Sequence, residues 1–157
     1  MKVAIGCDHA AYIEKKHLIV YLESKLNIEI IDFGTHSEES VDYAEYGHMV
    51  GKCVSSGAAD RGIVICGSGI GISIAANKIK GVRAALCISI DHAIISRKHN
   101  DANVLALGAR FISLKTMLEI SENWLKTDFE GGRHQNRIDK IEKIWKTYQV
   151  QIEQSMI

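Results

Sequence analysis

Short apolar runs alternate with longer amphipathic stretches along the chain. The apolar runs are rich in Val, Ile and Ala, and they are bounded by Gly, Asn, Asp or Ser because the chain has no proline. Such runs are typical of strands buried in a parallel sheet, whereas apolar residues three or four apart are typical of helices. Five strands are predicted, at about residues 2–7, 28–33, 62–66, 82–88 and 104–107.

Helices are predicted between and after these strands. The first, at about 10–26, shows the spacing most clearly, because Leu18, Leu22 and Leu26 recur every four residues. Asp42 can cap the second helix, which Ser56-Gly57 ends. The others are predicted at about 72–79, 91–99, 113–125 and 135–154.

This alternation predicts an α/β fold, a three-layer α/β/α sandwich around a five-stranded, mainly parallel sheet. At 157 residues, the chain is expected to form a single domain, 1–157. The last helix lies beyond the fifth strand–helix unit. It can pack on its own domain or reach across to a second subunit, and the sequence leaves both arrangements open.

Composition and charge exclude several classes of partner. Lys+Arg and Asp+Glu both number 19, so neither nucleic acid nor a membrane surface is an expected partner. The chain opens directly into a strand and has no apolar segment long enough to span a bilayer, which predicts neither a signal peptide nor a membrane anchor. The four cysteines are scattered without a C-x-x-C pair. A reducing cytoplasm is therefore the expected location.

The most distinctive stretch is 62–77. An apolar run ends on Cys66, and Gly67, Gly69 and Gly71 follow at alternate positions before a stretch that can be helical. A glycine-rich turn between a strand and a helix exposes backbone N–H groups, and the helix N-terminus adds partial positive charge. The turn is thus suited to an anion, and the same field favours a thiolate at Cys66. The alternatives are a buried strand-end thiol and a loop that only allows tight helix–sheet packing.

Other polar residues are predicted to collect near this turn, because ligands of such sheets bind beyond the carboxyl ends of the strands. They follow strands one, three and five or end the helix after strand four, and we expect them to converge on one rim. They are Asp8, His9, Ser68, His99, Asn100 and Arg110. Asp8 is also a candidate helix cap, and either histidine can be structural or exposed.

Two arginines near the C-terminus extend the set. Arg133 and Arg137 stand four residues apart at a predicted helix start, so they share one face, and two guanidinium groups on one face suit a phosphate. The alternative is that these are ordinary surface cations. The remaining histidines are expected to be structural or exposed: His17, His36, His48, His92 and His134.

Cofactor motifs are missing from the chain. Ile72 stands where a dinucleotide fingerprint needs its third glycine, and the lysine and hydroxyl of a phosphate-binding P-loop are absent. No His or carboxylate pair has a recognised metal-ligand spacing. We therefore expect neither a nucleotide cofactor nor a metal.

With these residues in view, the chain resembles the family of type B ribose-5-phosphate isomerases and galactose-6-phosphate isomerases over nearly its whole length. It is closer to the former. Four blocks, in order, carry the resemblance: 6–9, 66–78, 96–105 and 130–137. The resemblance implies a Rossmann-like sandwich that interconverts an aldose phosphate and its ketose without metal or organic cofactor. It also implies a homodimer, sometimes paired into a tetramer, with an active site shared across the dimer interface.

The resemblance also implies roles for individual residues. Cys66 would move the proton between C1 and C2, Ser68 would assist at the reacting oxygens, and His99 would protonate the ring oxygen during ring opening. The backbone of one loop would hold the enediolate: Gly67, Gly69, Ile70 and Gly71. The other groups would bind hydroxyls and phosphate: Asp8, His9, Asn100, Arg110, Arg133 and Arg137.

One departure concerns the start of the second helix. Many relatives have Asp-Tyr-Pro where this chain has Asp42-Tyr43-Ala44, and the proline would stiffen that start. Tyr43 is expected near the sugar.

The expected reaction interconverts ribose 5-phosphate and ribulose 5-phosphate. One alternative is the same chemistry on allose 6-phosphate or galactose 6-phosphate. Another, from a different class of protein, is a non-catalytic sugar-phosphate sensor on the same scaffold.

Overall fold

The computed structural model describes residues 1–143, and its centre is one parallel sheet. The strands are β1 (Lys2–Cys7), β2 (Glu29–Asp32), β3 (Arg61–Cys66), β4 (Ala84–Leu86) and β5 (Val104–Gly108). They lie in the order β2-β1-β3-β5-β4, and every adjacent pair is parallel. Parallel neighbours need crossover connections, which the intervening helices supply.

The helices are α1 (Tyr12–Leu26), α2 (Tyr43–Ser55), α3 (Ile70–Asn77), α4 (Ile90–Asn100) and α5 (Leu114–Lys126). A 3₁₀ turn, His9–Ala11, precedes α1, and residues 133–143 are also helical. The predicted cap of α2 is confirmed, because the Asp42 carboxylate accepts a hydrogen bond from the Ala44 N–H. The rest of the helix predicted at about 135–154 lies outside the described residues.

Two apolar cores lie on opposite faces of the sheet. One includes Leu18 of α1 and Met117 and Trp124 of α5, and it takes alternate strand residues such as Ile63. The other takes the intervening strand residues and packs them against α2 and α3. Because successive strand side chains point to opposite faces, β1, β3 and β5 supply both cores. The predicted three-layer sandwich is confirmed, and the sheet is wholly parallel among the described residues.

The strand β4 is shorter than the predicted 82–88. Before it, the Arg83 N–H donates to the Asn103 side chain instead of to a strand. At its outer edge, the Asn77 side chain both donates to and accepts from the backbone of Ala84. These backbone groups of Ala84 are therefore occupied and are not open to pairing with another strand.

No helix among residues 1–143 has the length and apolar character needed to cross a bilayer. All four cysteines are buried and free.

Candidate active site

The glycine-rich turn after β3 directs a backbone donor at a thiol. The Gly69 N–H donates to Cys66 Sγ at 3.1 Å, and Cys66 is only 3% exposed. Gly69 adopts a left-handed backbone conformation, with φ of 77°, directly before α3 begins. The donor is therefore held by the turn and the helix together, and it would stabilise negative charge on the sulfur.

Replacing Gly69 with alanine is expected to destabilise the protein. A Cβ there would lie 2.5 Å from Leu86 Cδ1 and 2.8 Å from the Leu107 backbone carbon. The left-handed conformation alone costs about 1–2 kcal/mol for a residue with a side chain, and the contact with backbone adds to this. Denaturant unfolding should show a lower midpoint for Gly69→Ala. The matched control is Gly67→Ala, whose Cβ would have as its nearest neighbour the end of the Arg110 side chain, at 3.2 Å, rather than backbone. Equal midpoints for the two variants would contradict this account.

The glycine-rich turn forms one wall of a cavity. The cavity beside Cys66 has a volume of about 490 Å³. Residues from the ends of β1, β3 and β5 and from the start of α2 and α3 line it. We call these residues the thiol half-site: Asp8, His9, Tyr43, Cys66, Gly67, Ser68, Ile70, Gly71 and Arg110.

Asp8 and His9 are both held by backbone groups. The Asp8 carboxylate, 7% exposed, accepts from the Ala10 N–H at 3.0 Å, so the predicted capping role is confirmed. His9 Nδ1 lies 3.2 Å from the Val41 N–H and accepts its hydrogen bond. A neutral imidazole that accepts at Nδ1 carries its proton on Nε2. His9 thus keeps an N–H donor free for a ligand in this tautomer.

Arg110 and Tyr43 lie against the glycines of the turn. The Arg110 N–H donates to the Gly67 carbonyl at 3.0 Å, and its guanidinium packs on Gly67. The Tyr43 ring covers Gly71 so closely that a Cβ there would lie 2.5 Å from the ring. Small residues at both positions therefore let a cation and an aromatic ring approach the turn.

Ala44 has a physical role at the position where many relatives have proline. Its N–H donates to the Asp42 carboxylate at 2.9 Å, a bond that proline could not form. Here a side-chain cap orders the start of α2, and Tyr43 lies in the cavity as expected.

His99 and Asn100 do not join this rim, and the expectation that one chain brings them to it is wrong. The helix α4 begins after the carboxyl end of β4 and runs back toward the amino edge of the sheet, where the Asn103 N–H donates to the Arg83 carbonyl. His99 lies nine residues after Ile90 along the helix, which is about 13.5 Å at a rise of about 1.5 Å per residue. His99 therefore lies at the edge opposite Cys66.

A second cluster of polar residues surrounds His99. Its ring stacks on that of His134, with centroids 4.2 Å apart and planes 6° from parallel. The Glu130 carboxylate lies 3.9 Å from Nε2 of both histidines. The two arginines start the helical residues 133–143 beside it. We call these residues the histidine half-site: His99, Asn100, Glu130, Arg133, His134 and Arg137.

Neighbouring groups shift the pKa values of two side chains in this cluster. A hydrogen bond from Lys98 is the main cause that lowers the pKa of Glu130 below its usual value. Burial lowers the pKa of His134, and the positive charges of His99, Arg133 and Arg137 lower it further. The expectation that His134 is merely structural or exposed misses its stacking on His99, and no local pattern in the sequence indicates that Glu130 lies beside both rings.

The cluster includes three groups of the kinds that bind metals. One ligand atom each from His99, Glu130 and His134 lie within 4.8 Å of one another. A metal lies in the plane of each imidazole that binds it, along the nitrogen lone pair. Two nearly parallel, stacked rings have planes that do not meet at one ion. As arranged, the cluster does not suit a metal.

Comparison with known proteins identifies the family. Residues 3–141 match the family model described as Ribose/Galactose Isomerase. The chain belongs to this family. It is 46% identical to ribose-5-phosphate isomerase B of Escherichia coli, over 91% of this chain and 95% of that one. This confirms the resemblance and, with it, the isomerase class.

Solved structures of the family agree with the fold. Ribose-5-phosphate isomerase B of Clostridium thermocellum superposes with a TM-score of 0.92 at 53% identity, covering 94% of this chain and 99% of that one. The Mycoplasma genitalium enzyme, solved with bound ribulose-5-phosphate, gives a TM-score of 0.88 at 39% identity, covering 92% and 96%. The Rossmann-like fold class is thereby confirmed.

Proposed function

We propose that this family member interconverts ribose 5-phosphate and ribulose 5-phosphate through an enediolate, with Cys66 as the base. The observation that carries the proposal is the hydrogen bond from the Gly69 N–H to Cys66 Sγ, at the wall of a cavity that Asp8, His9 and Arg110 also line. The names of the relatives support the pentose phosphate as substrate, and one relative was solved with ribulose-5-phosphate bound.

Cys66 differs in its surroundings from the other three cysteines. Burial raises the pKa of Cys7 to about 12 and that of Cys87 to about 11, and it also raises the pKa of Cys53. Those thiols stay protonated and pack as small apolar groups. Cys66, by contrast, lines the cavity, and the Gly69 N–H donates to its sulfur there. It is therefore our candidate for the group that carries the proton between C2 and C1.

Removal of the C2 hydrogen of the open-chain aldose creates negative charge on the carbonyl oxygen. Backbone N–H groups of the 67–71 turn, at the start of α3, are the proposed donors to this oxygen, apart from that of Gly69, which donates to Cys66 Sγ. One such donor contributes about 3–4 kcal/mol to barrier lowering in other enzymes. Ser68 would assist at the reacting oxygens, and no step in this scheme calls on an organic cofactor or a metal.

Ring opening and phosphate binding are assigned to the remaining groups. His99 would protonate the ring oxygen of the cyclic sugar, since an imidazole can carry a proton near neutral pH. Asp8, His9 and Asn100 would bind hydroxyls, and the arginines would hold the phosphate, whose binding energy orients the reacting carbons. Arg110 would act from the thiol half-site, and Arg133 and Arg137 from the histidine half-site.

These roles require two chains, because the half-sites lie at opposite edges of one sheet. We propose a homodimer, alone or paired into a tetramer, in which the histidine half-site of one subunit completes the thiol half-site of the other. Exposed apolar side chains beside the thiol half-site support a protein contact there. They are Ile70 at 55%, Ile74 at 55%, Ile88 at 57% and Phe111 at 74% exposed. Four free thiols support a reducing cytoplasm as the location.

Proton NMR of ribose 5-phosphate in D₂O tests the proposed reaction. We expect signals of ribulose 5-phosphate to grow with the wild-type protein, with deuterium incorporated at C1 as the base exchanges its proton with solvent. Turnover of allose 6-phosphate or galactose 6-phosphate but not of the pentose would instead support the six-carbon alternative. Binding of these sugars without turnover of any would favour the sensor and contradict the proposal.

A further inference from the structure

His134 is a buried side chain on an otherwise exposed turn of helix. Its side chain is 6% exposed, whereas its neighbours Arg133 and Gln135 are exposed. Its Nε2 lies at the outer limit of hydrogen bonding, 3.5 Å from Arg133 Nε. Its ring stacks face to face on that of His99. This turn of helix therefore holds His134 against His99.

His99 needs such a contact if its ring is to be held in one orientation. Its side chain is 39% exposed and lies one residue from the end of α4. Its ring stacks on that of His134, and the Glu130 carboxylate lies 3.9 Å from its Nε2. Glu130 is itself held by Lys98 at 3.2 Å. Of these two contacts, only the stacking fixes the plane of the His99 ring.

We propose that His134 is a positioning residue, whose ring holds His99 in the orientation needed to protonate the ring oxygen of a cyclic sugar phosphate. This inference rests on the proposed function of His99. A proton donor must lie within hydrogen-bond reach of its acceptor, and a rotated ring would miss it. Stacking between flat rings fixes that rotation without using either nitrogen of His99.

The charges around His134 suit this role. Glu130 is the facing anion, and Arg133, Arg137 and Lys98 are the neighbouring cations. Burial is the main cause that lowers the pKa of His134, and the positive charges of His99, Arg133 and Arg137 lower it further, so the surroundings favour its neutral ring. A neutral ring can stack on His99 whether or not His99 carries a proton, whereas two charged rings would repel each other.

The experiment separates ring opening from proton transfer. In ribulose 5-phosphate, O5 carries the phosphate and cannot close a ring on the C2 carbonyl, so this sugar is already open. Exchange of its C1 hydrogen in D₂O therefore needs the base but not the ring-opening acid. We expect His134→Ala to lower kcat for ribose 5-phosphate by about tenfold to a hundredfold, as misplaced catalytic groups do. KM should change little, and the C1 exchange of ribulose 5-phosphate should stay within about twofold of wild type.

Two variants control for packing. His134→Phe keeps a flat ring but removes both nitrogens, and it should retain most of the turnover that His134→Ala loses. Gln135→Ala alters the exposed neighbour, which bonds only Asp139 among the described residues, and should behave as wild type. An equal loss of turnover and exchange in His134→Ala, or a loss in His134→Phe as large as in His134→Ala, would overturn the inference. If wild type shows neither turnover nor exchange, the proposed function itself fails.

Discussion

Replacing Cys66 with alanine is expected to lower the turnover of ribose 5-phosphate by about a thousandfold, the middle of the range for loss of a general base. The alanine cannot accept the C2 proton, and the Gly69 N–H loses the sulfur that it now contacts. The same variant should lose C1 exchange of ribulose 5-phosphate, because that exchange needs the same base. Binding of ribose 5-phosphate, measured by calorimetry, should change far less than turnover.

Cys87→Ala is the matched control for this experiment. Cys87 directly follows β4, at the same edge of the sheet, and it is 1% exposed. Burial raises the pKa of its thiol to about 11, so it carries no charge at neutral pH. We expect this variant to lose some stability and to keep its turnover. Comparable turnover in Cys66→Ala and wild type would contradict the role of Cys66 as base, while the reaction itself would remain established.

The elements and the thiol half-site could be predicted from the sequence because each depends on local pattern. A short apolar run predicts β3, and the three glycines after it predict the turn around Cys66. Parallel strands bring their carboxyl ends to one edge, which also predicts that Asp8 and Arg110 join the turn. These inferences need only the periodicity of the chain and the direction of the strands.

The histidine half-site could not be predicted in the same way. His99 follows strand four in sequence, but the helix between them carries it back to the amino edge. Its pairing with His134 joins segments far apart in the chain, and no local pattern indicates a ring stacked on a ring. Lys15 is a similar case. In the structure it is 1% exposed and paired with Asp32, but nothing in the sequence distinguishes it from a surface lysine.

The separation of the half-sites leads to the second large prediction, which tests subunit sharing directly. Cys66→Ala and His99→Ala should each have low turnover alone. Mixed so that subunits exchange, half of the dimers contain one chain of each kind. One of the two sites in such a dimer combines an intact Cys66 with an intact His99 from the other chain. Turnover should therefore recover to about a quarter of wild type, as expected for random pairing in a two-fold dimer.

A second mixture is the control that shows whether the recovery is specific. Cys66→Ala and Arg110→Ala both alter the thiol half-site, so every site in their mixed dimer keeps one defect, and no recovery is expected. Light scattering should first show a mass of at least about twice the 17.4 kDa of one chain. Recovery in both mixtures would mean that exchange, refolding or contamination restores turnover without sharing. Recovery in the first mixture alone is expected only if the two subunits share the site. Recovery in neither mixture, with subunit exchange verified by mass spectrometry, would mean that His99 does not act across the interface.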